Sequence, residues 1–303
     1  MKPIPVDFNI GSLQIHTYGI GLAITFWLSY LYFERRLRNN GYPTAWLGNS
    51  FLWIVLAAVV GARVTHVVSN LNFYSKNPGD ILAVWHGGLS SFGGLLFAVP
   101  VGLVLAHRRC PWLSAGRGLD LVAPVLMAAW ALGRLLGPQV EVAGGGKPTT
   151  AWYGLYYAGQ VGKRIPAPVF QSIECLVILA ILFWIERRTS AGPKRVDGDR
   201  GPLPAAWLST PRPVGIVIAS AAALWGLDRF LDEVLWLAVP TVWDLVEVVG
   251  LAMCLAGLVI IGLLYRKQRR TPGTLSHPGE REPLGLGPEV DAGGAVAPSG
   301  SVT

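Results

Sequence analysis

Seven apolar runs constrain this chain more than any other feature of its sequence. They lie at about Tyr18–Phe33, Ser50–Val68, Ser91–Ala106, Leu119–Leu136, Val169–Ile185, Val214–Trp236 and Trp243–Tyr265. Each is close to the roughly 20 residues that a helix needs to cross about 30 Å of hydrocarbon. Inside a bilayer every backbone N–H and C=O must be satisfied within the protein, which leaves helices and closed barrels. A barrel would need alternating segments of about ten residues, and the sequence has none. With 52% hydrophobic and only 14% charged residues, the chain also lies outside the soluble range, where about a quarter of residues are charged. The expectation is an all-α membrane protein with seven transmembrane helices over residues 1–270. Residues 271–303, rich in Pro, Gly and Ser, are expected to be a disordered cytoplasmic tail.

The positive charges orient the bundle. Seventeen Lys and Arg fall on one set of connections: the segments around Arg36, around Arg108, from Arg187 to Arg212, and beyond Arg266. Five, namely Lys2, Lys76, Lys147, Lys163 and Arg164, fall on the other. Positively charged loops stay in the cytoplasm, so the N-terminus is placed outside and the C-terminus in the cytoplasm. The net charge of +7 is therefore a topology signal whose partner is anionic lipid, with no nucleic acid expected. The first residues lack the basic region and cleavage site of a removable signal peptide. Cys110, Cys175 and Cys254 lie far apart, and neither a metal nor a cofactor is implied.

Three arginines remain inside or at the edge of spans: Arg63, Arg134 and Arg229. At mid-bilayer each would cost at least about 2.5–3.5 kcal/mol, so each needs a partner or a wet cavity. With the orientation above, all three sit toward the outer leaflet, as do Tyr18, Gln171, Glu174, Asp244 and Glu247. Asp120 is the exception. Outer arginines can also snorkel to the interface, and Arg229 can simply pair with Glu233 one turn on. Snorkelling does not explain why the carboxylates share the depth. A planar guanidinium fork suits phosphate, which points to a lipid headgroup. The segment VWHGGLSSFGGL carries two Gly-Gly pairs before the third span. They fit either a loop whose backbone approaches another group or close helix packing.

These residues also carry a resemblance to the bacterial prolipoprotein diacylglyceryl transferases. PVDFNIGSLQIHTYGIGLA is similar to that family's approach to its first helix, and GARVTHVV with VWHGGLSSFGGL to its second helix and glycine segment. GRLLGPQVEVAGG resembles its signature, PAPVFQSIE the opening of its fifth helix, and DRFLDE the arginine segment of its sixth. The resemblance implies a multi-pass enzyme of the bacterial cytoplasmic membrane. Such an enzyme moves a diacylglyceryl group from phosphatidylglycerol to the lipobox cysteine thiol of a prolipoprotein signal peptide. Carried over by motif, Arg134 and Arg229 become the headgroup arginines, with Glu233 as the helical partner of Arg229. Tyr18 becomes the tyrosine at the start of the first helix and Glu141 the signature glutamate. The catalytic set is then Arg134, Arg229 and Glu141, and Tyr18, Arg63, Glu233, Gly93 and Gly94 join the arginines in binding substrate.

The chain departs from the pattern at two places. Phe92 stands where the family has a histidine, and the signature has lost both asparagines, which also brings Glu141 one residue closer to Arg134. Glu141 and His86 are then the candidates for a general base. A non-catalytic lipid- or lipoprotein-binding paralogue on the same scaffold is the alternative, and a small-solute transporter is disfavoured because no internal repeat is found.

Overall fold

The computed structural model describes residues 7–10, 13–82, 90–111, 113–140, 142–188, 213–237 and 245–270. The loop before the sixth apolar run and the segment after residue 270 lie outside these residues, as do His86 and Glu141. A hairpin of β1 (Asp7–Ile10) and β2 (Leu13–His16) leads into α1 (Thr17–Asn39). Then follow α2 (Leu47–Ser69), the short α3 (Leu71–Tyr74) and a 3-10 turn at Pro78–Leu82. The remaining long helices are α4 (Ser91–Arg109), α5 (Ala115–Leu136), α6 (Ala167–Arg188), α7 (Ile216–Leu235) and α8 (Leu245–Arg270). Between α5 and α6 a two-residue hairpin, β3 (Leu155–Tyr156) with β4 (Lys163–Arg164), stiffens the loop.

Five of these helices, α2, α4, α5, α6 and α8, are long and apolar enough to cross a membrane. In α1 the apolar run is diluted by Tyr, Ser and Thr and ends in Glu34, Arg35 and Arg36. In α7 the last two turns carry Asp228, Arg229, Asp232 and Glu233. The outward faces are apolar, with Trp27 61%, Trp53 62% and Leu96 67% exposed. A face of that kind is at home in lipid and not in water.

Close backbone contact sets the helix pairs. α7 packs along α8 and α2 along α4, while α5 lies against both α1 and α6. A Cβ on Gly226 would come within 2.5 Å of the Gly250 carbonyl, and one on Gly257 within 2.6 Å of the Ala223 nitrogen. On the other pair, Gly61 and Gly93 face each other, and a Cβ on Gly93 would collide with Thr65. Small residues at these crossings let dispersion contacts form between backbones, which is how helices associate where no hydrophobic effect drives them. Gly93 and Gly94 therefore lie in the first turn of α4, which Ser90 caps by accepting a hydrogen bond from Gly93 N. Gly93 serves close helix packing.

The main core joins α5, α6 and α7 through Ala123, Met127, Cys175, Ile178, Leu182, Val217 and Trp225. A second core of Leu37, Leu47, Leu113 and Leu121 lies where α1 ends and α5 begins. There Arg36 binds Glu186 through two hydrogen bonds of 2.6 and 3.3 Å and also donates to the Leu121 carbonyl at 2.8 Å. Arg36 thus laces α1, α5 and α6 together. Asp120 has a structural task as well. Its carboxylate is 1% exposed and accepts from Gly215 N, Val217 N and Ile218 N at 2.8, 3.0 and 3.1 Å. It caps the start of α7, where free N–H groups and the helix dipole favour a negative charge.

Candidate active site

Arg229 lies on the inward face of α7 and is 5% exposed. Its Nη1 donates to Asp232 Oδ2 at 2.6 Å and its Nη2 to Glu233 Oε1 at 3.2 Å. Residues three and four apart on a helix share a face, so one guanidinium holds two carboxylates of its own helix. A third carboxylate arrives from α6. Glu174 accepts from Trp236 Nε1 at 3.0 Å, and its oxygens lie within 4.8 Å of those of Asp228 and Asp232.

Arg134 enters from the last turn of α5. Its guanidinium sits 5.3 Å from the centre of the Trp130 ring, a cation–π contact. It lies within electrostatic reach of Arg229, Asp232, Cys175 and Tyr18. Tyr18 is brought there by close packing between α1 and the end of α5. Gly21 meets the Leu136 carbonyl, and a Cβ on Gly137 would lie 3.0 Å from the Tyr18 ring. Arg134 and Tyr18 also line one end of a cavity of about 460 Å³ between α1, α2, α4, α5 and α7. Leu22, Phe26, Leu95, Leu126 and Trp225 make the rest of that wall largely apolar, and Gly94 borders it. Apolar volume ending at a guanidinium suits an amphiphile with acyl chains and an anionic head.

The loop after α5 closes over this end of the bundle. Lys147 Nζ donates to the Val234 carbonyl at 2.6 Å and Lys147 N to the Trp236 carbonyl at 2.9 Å, which satisfies the end of α7. Gln139 accepts from Tyr157 OH at 2.5 Å. Burial pushes the Tyr157 hydroxyl up to about 12, against the smaller opposing effect of that hydrogen bond, so it stays a neutral donor. Tyr153, Phe170 and Trp236 pack ring against ring at tilted angles beside the loop.

The structure thus brings together Tyr18, Arg134, Arg229 and Glu233. Arg63 is placed differently. It is 7% exposed, and its guanidinium donates to the carbonyls of Ile81, at 3.0 Å, and Asp80 while lying 5.3 Å from the Tyr74 ring centre. Arg63 anchors the turn that follows α3. Asp228 and Asp232 are the residues that sequence reasoning missed. The available signal was the acid density of DRFLDE, three carboxylates in six residues inside an apolar run, each costly in lipid without a partner.

Comparison with known proteins adds a separate line of information. The profile of the family described as prolipoprotein diacylglyceryl transferase matches residues 5–263. Several relatives bear the name phosphatidylglycerol–prolipoprotein diacylglyceryl transferase. One from Bordetella parapertussis is 31% identical over 237 residues, covering 76% of this chain and 80% of its own. One from Trichormus variabilis is 27% identical over 292 residues, covering 93% and 96%. One from Lactobacillus acidophilus is 36% identical over 152 residues, and there the chain spans about half of the relative, 51% of its length.

Proposed function

The chain belongs to the prolipoprotein diacylglyceryl transferase family, and on that premise we propose that it transfers a diacylglyceryl group from phosphatidylglycerol to the lipobox cysteine thiol of prolipoproteins. The observation that carries this reading is the junction of Arg134 with the apolar cavity, with Arg229 within electrostatic reach. Acyl chains occupy the cavity and the two guanidinium groups take the phosphate. The thiol attacks the glyceryl carbon that bears the phosphate, a thioether forms, and glycerol phosphate departs. Negative charge grows on the leaving phosphate, and preorganised guanidinium donors stabilise it most at that moment. Tyr18, beside Arg134, helps position the headgroup, and Glu233 fixes the guanidinium plane of Arg229.

The seven long helices are read as seven spans of a bacterial cytoplasmic membrane, with the N-terminus outside. This places the arginines at the outer leaflet, where the signal peptide of an exported protein is within reach. The role of Glu141 is left to its motif position.

Arg→Lys substitutions test the reading. Lysine keeps the charge and loses the bidentate fork. Arg134→Lys and Arg229→Lys should each lower phosphatidylglycerol binding or transfer to a lipobox peptide by about ten- to a hundred-fold, the worth of a charge-assisted hydrogen bond. Unchanged binding in both variants would remove the phosphate from this site. Lipid binding by the wild type without any peptide lipidation would replace the enzyme with a lipid-binding paralogue.

A further inference from the structure

Attack on carbon requires the thiolate, so some group must take the thiol proton. At position 92 the chain carries a phenyl ring, which cannot. That ring packs on Trp225 with centroids 5.6 Å apart, and Trp225 stands one turn before Asp228 on the same face of α7. From Asp228 onward this face is acidic. Glu174, Asp228 and Asp232 bring carboxylate oxygens within 4.8 Å of one another. Arg229 takes one oxygen of Asp232, and Trp236 takes one of Glu174. The buried oxygens Asp228 Oδ2, Asp232 Oδ1 and Glu174 Oε2 have no hydrogen-bond partner among the described residues.

A second observation is independent of the acids. Trp225 Nε1, Gln171 Nε2 and Arg229 Nε are donors without an acceptor among the described residues, on residues 3%, 2% and 5% exposed. Gln171 lies one turn before Glu174 on α6, and Trp225 one turn before Asp228 on α7. Buried donors left open cost free energy unless an oxygen-bearing ligand meets them, and buried carboxylate oxygens call for a proton. The two sets alternate along α6 and α7, and Trp225 joins Arg134 in lining the cavity.

We propose that Asp228, sharing charge with Glu174 and Asp232, takes the proton from the substrate thiol. The inference rests on the transferase reading above. The S–H proton passes to the Asp228 carboxylate, and the sulfur electron pair forms the bond to the glyceryl carbon. The carbon–oxygen bond breaks, its electrons leave with the glycerol phosphate, and the proton then passes from Asp228 to that phosphate. Three carboxylates this close repel one another, so a proton gained by any of them is shared and relieves the repulsion. The charged and titratable groups facing them are Arg134 from α5, Cys175 from α6, and Arg229 and Glu233 from α7. Glu247 of α8 is buried one turn before Gly250, which packs on Arg229, and Tyr18 approaches from α1.

The experiment uses the full-length protein in phosphatidylglycerol-containing nanodiscs with a lipobox peptide. Asp228→Asn keeps the shape and removes the proton acceptor. Its kcat should fall about a hundred-fold or more, the usual worth of a general base, with lipid binding retained. Asp228→Glu should recover part of the rate, and the acid limb of the wild-type pH–rate profile should be absent from the Asn variant. Infrared titration gives a readout without turnover, because the wild type should show a protonated carboxyl band that Asp228→Asn removes. Near-normal kcat in Asp228→Asn, or a band that the substitution leaves unchanged, overturns the proposal while the transferase reading stands. Loss of transfer on chelation of divalent cations overturns it too, by making the cluster a cation site. A wild type that binds lipid and lipidates no peptide fails the transferase reading itself and takes this step with it.

Discussion

Asp120 of α5 accepts a hydrogen bond from the backbone N–H of Gly215 at 2.8 Å, across 95 residues of sequence. The carboxylate also takes the N–H groups of Val217 and Ile218, so a charge buried at the start of one helix holds the start of another. Asp120→Ala would leave these donors without an acceptor. At about 1.5–3 kcal/mol for a hydrogen bond to a charged group, thermal unfolding in detergent should fall clearly below wild type. An unchanged midpoint would show that the cap contributes little.

The α7–α8 crossing makes a paired test. Gly226→Ala puts a methyl group within 2.5 Å of the Gly250 carbonyl, whereas a Cβ on Gly262 meets nothing within 4 Å. The first variant should lose about 1–3 kcal/mol by overpacking and the second almost nothing. Equal unfolding midpoints for the two would mean that α7 and α8 are not held by backbone contact.

The orientation is tested by reporter fusions. A reporter joined after Gly192 should read cytoplasm and one joined after Gly145 exterior, as the distribution of basic residues demands. The reverse pair of signals would place Arg134 and Arg229 at the cytoplasmic leaflet and remove the proposed access for an exported substrate.

Tyr157 supplies a pH signature. Its hydroxyl is held above the ordinary value of 10.0, at about 12 in the folded protein. The folded state therefore keeps a proton that the unfolded chain gives up first, so this contribution to stability is intact below pH 10 and is lost as pH rises toward 12. Tyr157→Phe should flatten the alkaline fall in unfolding temperature between those limits. A fall as steep as wild type would assign it to other groups.

Much of the candidate site was legible because lipid makes polar groups conspicuous. Tyr18, Arg134, Arg229 and Glu233 stand out in apolar runs, and the structure gathers all four at one end of the bundle. Depth along a span is readable from sequence, but rotation about the helix axis and the path of a following loop are not. Arg63 is expected at the depth of the others, and the turn at Pro78–Leu82 presents carbonyls that capture it. Asp228 and Asp232 are hidden in the sequence because the i,i+4 pairing of Arg229 with Glu233 already accounts for the segment. Only the arrival of Glu174 from α6 turns them into a cluster. The glycines mark points of close approach, and which backbone they approach is a matter of helix pairing.

Cys175 follows Glu174 on α6, lies within electrostatic reach of Arg134 and Asp228, and is 0% exposed. Under the proposed transfer, an enzyme that alkylates thiols keeps one of its own near the arginines proposed to hold the leaving group. Ile178, Leu182 and Trp225 belong to the packed core around it, and this packing fills the space beside the sulfur. Protection from self-alkylation is then a matter of walls, and any cavity opened beside Cys175 would turn a bystander into a suicide substrate.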